Sequence, residues 1–171
     1  MPEFNNTDDA IKYLVKNHKK VFKEVIKETI IPTIQESIDD IVYDAYNPTQ
    51  YARRKDKGGL RDVANFDYSI DIFDNTISII VKNIAEPNTK QDVKGRIDNV
   101  AKNKNKYQYL DWMIVYGQTY TWINSSIYKQ QPFPRDFYAD ATRILRTKLP
   151  ITIARKFKQL GIEVDYEVII R

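Results

Sequence analysis

Apolar residues recur at helical spacing over the first part of the chain. Most steps between them are three, four or seven residues, with Lys, Glu and Asp between, which is typical of a helix that covers a core with one face. These apolar positions are Ile11, Leu14, Val15, Val21, Phe22, Val25, Ile26, Ile30, Ile34, Ile38, Ile41, Val42 and Ala45. We predict a helix over 7–46, with a kink or break at Pro32, because proline lacks an N–H and crowds the carbonyl of the preceding turn.

The pattern changes to an alternation of apolar and polar residues between Phe66 and Asn83. Asp74-Asn75, in the middle of this stretch, fits a two-residue turn. Folding about that turn puts six apolar side chains on one face, in the pairs Ile72 with Ile77, Ile70 with Ile79 and Tyr68 with Val81. Asp67 and Asp71 then share the opposite face, where a solvated surface is favoured over a two-metal site. We therefore predict an antiparallel hairpin over 66–83.

The middle of the chain gives weaker signals. Residues 84–106 are polar and basic, and we interpret them as an excursion from the body of the protein. Residues 107–115 are the most aromatic part of the chain, and their pattern fits either a strand or a short helix. Residues 118–131 contain Tyr, Trp, Ser and Asn without periodicity, which predicts a second long loop.

Helical spacing returns over 134–160. Pro134 suits a first-turn position, Pro150 is expected to interrupt the helix, and Gly161 is a good C-terminal stop. The alternation over 162–170 predicts a last strand.

These elements together predict one α+β domain over 1–171. It has a long N-terminal helix, a small antiparallel sheet with the 66–83 hairpin, a C-terminal helical segment and last strand, and long polar loops. Hydrophobic residues make up 42% of the 171 residues and charged residues 29%, which fits a single domain with its own core. No apolar run approaches the roughly 18 residues that span a bilayer. The N-terminus lacks the layout of a secretion signal, so we expect cytoplasmic folding and no membrane partner.

Candidate chemistry is sparse. The chain has no cysteine, which excludes disulfides, thiol catalysis and thiolate metal sites. The one histidine, His18, lies in a lysine-rich helical stretch without an orienting carboxylate at helical spacing, and we expect it at the surface. Gly58-Gly59 is an isolated pair rather than a phosphate-binding loop, and Asp39-Asp40 is interpreted as helix surface. We expect no enzymatic activity, no catalytic residue, no cofactor and no metal, and a hydrolase is poorly supported.

The net charge of +4 is concentrated in residues 47–61. This segment, termed the basic segment, holds five basic residues and one acid: Arg53, Arg54, Lys55, Lys57, Arg61 and Asp56. Such a patch can meet nucleic acid, an acidic protein surface or water. The alternative function from the residues is therefore a small nucleic-acid-binding regulator or toxin that uses Arg53, Arg54 and Lys55. Four C-terminal basic residues would assist it: Arg143, Arg146, Arg155 and Lys156.

Aromatic residues are frequent in the predicted loops and beside them. They are Tyr120, Trp122, Tyr128, Phe133, Phe137 and Tyr138. Contact with another protein chain and packing within the chain both explain them. A partner contact would combine such aromatics with arginine, which is enriched in interfaces. The candidate interface residues are Tyr51, Arg53, Arg54, Lys55, Tyr120, Trp122, Tyr128, Phe133 and Arg135.

Several short motifs resemble a known family. Residues 46–54 (Tyr-Asn-Pro-Thr-Gln-Tyr-Ala-Arg-Arg), followed by 58–62 (Gly-Gly-Leu-Arg-Asp), resemble a segment of the small head–tail joining, or tail-completion, proteins of long-tailed bacteriophages. Residues 114–117 (Ile-Val-Tyr-Gly) and 132–137 (Pro-Phe-Pro-Arg-Asp-Phe) resemble later motifs of that family. Asp136 departs from the pattern, because it stands where a proline is common.

The resemblance implies a structural role. It implies an α+β fold without enzymatic activity that forms a ring around the channel through which DNA leaves the head. The implied partners are copies of the chain itself, a portal or adaptor protein, and a tail-tube or tail-terminator protein, with incidental contact to genomic DNA. The implied location is the virion neck or tail, after assembly in the host bacterial cytoplasm.

Overall fold

The structure is a computed structural model that describes residues 7–45, 54–73, 76–85, 110–116 and 134–163. These residues form an α+β fold, with a long helical column, a two-stranded antiparallel sheet and a C-terminal helix. The predicted fold class is therefore confirmed. Residues 1–6, 46–53, 74–75, 86–109, 117–133 and 164–171 lie outside the described residues. With them lie the turn predicted at Asp74-Asn75, most of the two predicted loops and most of the last strand.

The N-terminal column consists of four consecutive helical segments. They are α1 (Thr7–Val25), a first π-helical segment (Ile26–Ile30), α2 (Ile31–Ile38) and a second π-helical segment (Asp39–Tyr43). The chain does not break at Pro32, because this residue lies in the first turn of α2, where a missing N–H costs little. The wide turn of the first π segment precedes it, and the Ile31 N–H bonds back to the Ile26 carbonyl there.

The hairpin has the register that the alternation predicts. Strand β1 (Phe66–Phe73) pairs with β2 (Thr76–Asn83), and the opposed residues include Tyr68 with Val81, Ile70 with Ile79, and Ile72 with Ile77. Tyr68, Ile70, Ile77, Ile79 and Val81 pack against the core. Asp67 and Asp71 are exposed on the other face, as predicted. The sheet thus covers the core with one face and presents the other to solvent.

Two helices form the second half of the described fold. Residues Leu110–Val115 form α3, which settles the choice between strand and helix there. Helix α4 (Phe137–Gln159) begins later than predicted, because Asp136 rather than Pro134 provides its start: the Asp136 carboxylate accepts the Ala139 N–H at 2.9 Å.

The interruption predicted at Pro150 is wrong. Pro150 lies inside α4, and the helix continues through it. Leu149 and Ile153, on either side of it, pack against the core, and this packing compensates for the missing backbone bond. After α4, the Ile162 N–H bonds to the Phe157 carbonyl oxygen at 3.0 Å. The strand predicted over 162–170 therefore does not begin at Ile162.

The core lies between the helical column, α4 and the inner face of the hairpin. Its buried apolar residues are Val21, Phe22, Val25, Ile26, Ile30, Ile31, Ile34, Ile38, Val42, Tyr43, Leu60, Phe66, Ala85, Ile114, Phe137, Ala141 and Phe157. His18 is half-buried rather than freely exposed, and its ring meets Phe157 edge-on at a centroid distance of 5.0 Å. Polar contacts also join the helices: the Ser37 hydroxyl donates to the Asp140 carboxylate at 2.9 Å.

Candidate assembly interface

Helix α3 is held in place by long-range backbone bonds. It has only six residues, too few to be stable alone. At its start the Leu110 N–H donates to the Ala85 carbonyl oxygen at 2.7 Å, and at its end the Ile114 carbonyl accepts the Arg135 N–H at 3.0 Å. Ile114 is buried in the core. The hairpin end and the start of α4 therefore fix the position of α3.

A buried polar junction fixes the same helix a second time. The Tyr138 hydroxyl donates to Oδ2 of Asp111 at 2.9 Å and accepts the Asn83 N–H at 3.0 Å. Oδ1 of Asp111 accepts the Trp112 N–H at 2.8 Å. Burial raises the pKa of the Asp111 carboxyl, and burial together with the Asp111 charge raises the pKa of the Tyr138 hydroxyl well above its usual value. Because each of these oxygens has a partner, the junction is structural.

Two aromatic side chains of this fixed region face solvent. Trp112 and Tyr116 are 51% and 55% exposed, and they are one helical turn apart. Their ring centroids lie 4.9 Å apart with an interplanar angle of 37°. We call Trp112 and Tyr116 the aromatic pair. Exposed aromatics that are already held in one geometry lose little freedom on binding, which is a feature of interface hot spots.

The backbone of Arg135 lies at the last turn of α3, because its N–H donates to the Ile114 carbonyl oxygen. Its guanidinium donates from Nη1 to the Val42 carbonyl oxygen at a long 3.5 Å. Its buried Nε has no hydrogen-bond acceptor within the part of the chain that the structure describes. The ion pairs found among those residues do not include Arg135. The Arg135 side chain is therefore held against the end of the helical column, and among the described residues its Nε has no acceptor.

The outer face of the hairpin is a second surface of mixed character. Ile80 is 45% exposed on it and stands opposite Ser69. Asp67 and Asp71 flank Ser69 on the same face of β1, so they are the diagonal neighbours of Ile80. Both carboxylates are exposed, and neither forms an ion pair with another described residue. We call Asp67, Asp71 and Ile80 the acidic hairpin face.

The described part of the basic segment is a tight turn rather than a free loop. The Gly58 N–H donates to the Asp62 carboxylate at 2.6 Å, and the Asn65 side chain donates to the Gly59 carbonyl oxygen at 2.8 Å. The backbone N–H groups of Gly58 and Ala64 hold the pKa of the Asp62 carboxyl below its usual value. Lys55, Asp56 and Lys57 are exposed. We call residues 54–62 the anchored turn.

The anchored turn is attached to the column and to the hairpin. Leu60 is only 1% exposed, and its carbonyl oxygen accepts the Asn83 amide at 2.7 Å. The Gln35 amide donates to the Arg61 carbonyl oxygen at 2.5 Å. Asn83 itself is 1% exposed, which makes this a buried polar contact. The end of the basic segment is therefore part of the body of the protein, contrary to the prediction of an exposed loop up to Arg61.

Three basic side chains converge on the C-terminal end of the helical column. The Arg61 guanidinium pairs with Asp39 at 2.8 Å, the Lys55 ammonium lies 5.3 Å from the centroid of the Tyr43 ring, and Arg135 reaches the Val42 carbonyl. This end of a helix carries a partial negative charge, which cations neutralise. Part of the positive charge of the basic segment is thus used within the chain.

Two of the four C-terminal basic residues named for the nucleic-acid alternative form ion pairs within the chain. The Lys156 ammonium lies 3.0 Å from the Glu24 carboxylate and 2.7 Å from that of Glu28. These carboxylates raise the pKa of Lys156. Arg143 pairs with Asp140 at 2.8 Å. Arg146 and Arg155 are exposed.

The predicted interface residues are only partly within the described residues. Arg54 is half-buried, Lys55 is exposed, and Arg135 is half-buried beside α3. The others lie outside the described residues: Tyr51, Arg53, Tyr120, Trp122, Tyr128 and Phe133. Sequence reasoning missed Trp112 and Tyr116, although their spacing puts both on one face once 110–116 is taken as helical.

Other features of the described residues suggest no chemistry. A groove of about 340 Å³ between α2 and α4 is bordered by Pro32, Ile151 and charged residues, and Lys148 pairs with Glu36 across it at 3.5 Å. Within the described ranges there is no cluster of three or more side chains suited to a metal. Of the helices described, none is long and apolar enough to cross a membrane.

Comparison with known proteins gives one family. A family model described as YomN matches residues 6–159, which is most of the chain. Searches of curated proteins and of solved structures found no match. The YomN family is phage-related, so the phage origin implied by the sequence motifs is confirmed, while a head–tail joining role stays a prediction. The chain belongs to the YomN family of phage-related proteins.

Proposed function

We propose that this chain is a structural subunit of a phage neck or tail, which joins the head connector to the tail by protein–protein assembly around the DNA channel. The observation that carries this proposal is the aromatic pair, because Trp112 and Tyr116 are both about half exposed although α3 is rigidly held. Membership of a phage-related family supports the phage context. The motif resemblance to tail-completion proteins supports the neck or tail.

The energetics favour assembly through several contacts. Trp and Tyr side chains bury about 150–250 Å² each, so covering the exposed halves of the aromatic pair removes on the order of 200 Å² from water. At about 25 cal/mol per Å², this contributes about 5 kcal/mol. Association costs roughly 4–15 kcal/mol, so the pair alone does not hold a complex. A ring subunit gains the remainder from two neighbours and from the rings above and below.

The proposed partners follow from this role. They are copies of the chain, a portal or adaptor protein on the head side, and a tail-tube or tail-terminator protein on the tail side. The long helix and the sheet contact neighbouring subunits. Residues 51–61, of which Lys55, Asp56 and Lys57 are exposed, and the predicted loop 118–131 dock on adjacent rings. In this proposal the protein resides in the virion, has no catalytic activity and needs no cofactor.

Genetic deletion in the phage tests the proposal. Loss of the gene should leave full heads and finished tails that do not join, as seen by electron microscopy, and mass spectrometry should find the chain in wild-type virions. The wild-type gene should restore joining, whereas Trp112→Ala combined with Tyr116→Ala should restore it poorly. The matched control is Ile151→Ala, because Ile151 is 47% exposed on α4. Intact infectious particles without the chain would refute the proposal.

DNA binding separates this role from the nucleic-acid alternative. Because Arg61 and Lys156 pair with carboxylates, few phosphate contacts are available from these groups. We expect the purified protein to bind DNA weakly, with a shallow dependence on salt concentration. Micromolar binding that falls steeply with salt in a fluorescence-anisotropy titration would favour the regulator instead.

A further inference from the structure

We infer that five exposed lysines on the helical column bind the phosphate backbone of double-stranded DNA. We call them the lysine stripe: Lys16, Lys19, Lys20, Lys23 and Lys27. They lie on α1 and the first π-helical segment, which are not the elements that carry the basic segment or the aromatic pair. The binding of duplex DNA rests on the stripe itself, and only the statement that this DNA is the phage genome in the channel rests on the proposed function.

The lysine stripe occupies one side of a continuous run of helix. Its members follow one another at steps of three, one, three and four residues. At about 100° and 1.5 Å per residue, they fall within an arc of about 100° and extend over about 17 Å. All five are exposed, whereas Val21 and Val25, on the other side of the helix, are buried in the core. The stripe is therefore a compact cationic surface.

The charge of the lysine stripe is not neutralised within the described residues. None of its members forms an ion pair there. Glu24 has the spacing to do so, because it follows Lys20 by four residues and precedes Lys27 by three. Its carboxylate instead meets the ammonium of Lys156 on α4 at 3.0 Å, and Glu28 meets the same ammonium at 2.7 Å. Both acids are thus held on the α4 side of the column, away from the stripe.

The composition of the stripe favours nucleic acid over a protein or a membrane. Lysine is depleted in protein interfaces, where Arg, Trp and Tyr dominate. A basic helix that lies on a membrane buries its apolar face in the lipid, but the apolar residues of α1, such as Val21, Phe22 and Val25, are already buried in the core. A lysine ammonium is a point charge that suits a phosphate group. The stripe is therefore suited to a chain of phosphates.

Duplex DNA matches the stripe in length and charge. It carries about one negative charge per 1.7 Å of its axis, so a stripe of about 17 Å lies along about ten phosphate charges. Because the two strands wind around that axis, only some of these phosphates face the helix, and we expect about three contacts per subunit. Phosphate contacts read no base sequence, and the stripe itself contains no aromatic side chain on which single-stranded bases would stack. The expected binding is specific for the duplex backbone and independent of sequence.

Three phosphate contacts agree with the weak DNA binding expected of the purified protein. The slope of log K against log salt should be about −3, compared with about −5 to −9 for six to ten contacts. A single subunit should therefore bind more weakly than micromolar. In a ring, the stripes of several subunits would meet the same DNA, and many weak contacts would act together. Only this side of the helical column is assigned to DNA, which leaves the rest of its exposed surface to neighbouring subunits.

Acetylation of lysines locates the contact directly. The purified full chain is treated briefly with an acetylating reagent, alone and with a saturating amount of a short random-sequence DNA duplex at low salt, and each lysine is quantified by mass spectrometry. Acetylation of the stripe lysines should slow at least about threefold, the factor expected at saturating occupancy. Lys82 on β2 and Lys158 on α4 are exposed elsewhere and should keep their rates. Unchanged rates at the stripe would overturn the inference.

Removal of charge provides an independent measurement by fluorescence anisotropy. The stripe variant combines Lys16→Gln, Lys20→Gln and Lys23→Gln. The matched control removes the same charge from exposed positions of α4 and combines Arg146→Gln, Arg155→Gln and Lys158→Gln. The affinity of the stripe variant for the duplex should fall about tenfold, with a salt slope smaller by about 2, whereas the control should stay within about threefold of the wild type. Both variants are first shown to keep the wild-type urea midpoint.

Three other results would contradict the inference. The first is an equal loss of affinity in the stripe variant and the control, and the second is no measurable binding of the duplex by the wild-type chain at low salt. For the third, the duplex is compared with phosphatidylserine–phosphatidylcholine vesicles, polyglutamate and duplex RNA at equal concentrations of negative charge. Stronger protection of the stripe lysines by any of these three would assign the stripe to a membrane, an acidic protein or RNA instead.

The outcomes separate this inference from the proposed function. If the chain is found in virions and is needed for joining, but duplex DNA does not protect the lysine stripe, the DNA contact is wrong and the function stands. If the duplex protects the stripe but virions are complete without the chain, the DNA contact stands and the neck or tail function is wrong.

Discussion

A single methyl group at Gly59 tests how firmly the anchored turn is built. A Cβ on Gly59 would lie 2.5 Å from the Lys55 carbonyl oxygen and 2.7 Å from the Lys55 nitrogen. Both obstacles are backbone atoms, so no side-chain rotation relieves the overlap. The turn is also closed by a bond from the Lys57 N–H to the Arg54 carbonyl oxygen at 2.7 Å. Gly59→Ala must therefore open the turn.

The expected cost follows from what the opened turn loses. Overpacking of a tight site costs typically 1–3 kcal/mol. The contact between the Asn83 amide and the Leu60 carbonyl, which lies beside Gly59, is worth about 1 kcal/mol if it is weakened. We expect Gly59→Ala to lower the free energy of unfolding by about 3 kcal/mol, a large share of the roughly 5–15 kcal/mol that a domain has.

Gly58→Ala is the matched control. Gly58 has a φ of +76°, but the nearest atom to its added Cβ is Nη1 of Arg54 at 3.8 Å, an ordinary contact. The free energy of unfolding of this variant should fall only by the cost of placing alanine in a left-handed backbone conformation, about 1–2 kcal/mol. Urea unfolding followed by tryptophan fluorescence measures both changes. If Gly59→Ala costs no more than Gly58→Ala, the close approach of Gly59 to Lys55 does not constrain the turn.

Two further predictions concern the polar junction. Asn83→Ala leaves the Leu60 carbonyl and the Ala85 N–H without their partners, which lie at 2.7 and 3.1 Å, and should cost about 2–5 kcal/mol in a urea melt; a loss below about 1 kcal/mol would contradict the buried bonds. The carboxyl of Asp111 has a pKa raised above 3.8 by burial, so the folded state holds this proton more tightly and stability falls as pH rises through that range. Compared with Asp111→Asn, the wild type should thus lose stability from acid to neutral pH. Compared with Asp140→Asn, the wild type should gain stability over the same range, because Arg143 and Ser37 lower the pKa of Asp140. Equal slopes of stability against pH in the two comparisons would refute the assignment.

Local pattern was enough to predict the hairpin. The alternation on both sides of Asp74-Asn75 fixes the register, since a slip by one residue would turn every apolar side chain to the wrong face. The structure has the same pairs, from Tyr68 with Val81 to Ile72 with Ile77. The apolar face of the helical column was predictable for the same reason, because it depends only on spacing along the chain.

The errors arose where contacts distant in sequence decide the structure. Pro150 was expected to interrupt a helix, but packing of its neighbours on the core keeps α4 continuous. Helix α3 depends on Ala85 and Arg135, which no local pattern connects to residues 110–115. The exposure of Trp112 depends on those long-range contacts, so it could not be predicted from local pattern. The sequence analysis therefore selected aromatic residues in the predicted loops instead.

The contacts that the cations of the basic segment make in the fold bear most directly on function. Read along the chain, it carries as much charge as the protein has in total, which indicates a nucleic-acid patch. In the fold, Arg61 forms ion pairs with Asp39 and Asp56, and Lys55 approaches the Tyr43 ring. These cations therefore lie at the C-terminal end of the helical column, whose partial negative charge they neutralise. Charge used in this way holds a turn against the body rather than attracting phosphate. Among the described residues, the aromatic pair is exposed without such a charge contact, and Trp and Tyr side chains of this kind are suited to contact with protein.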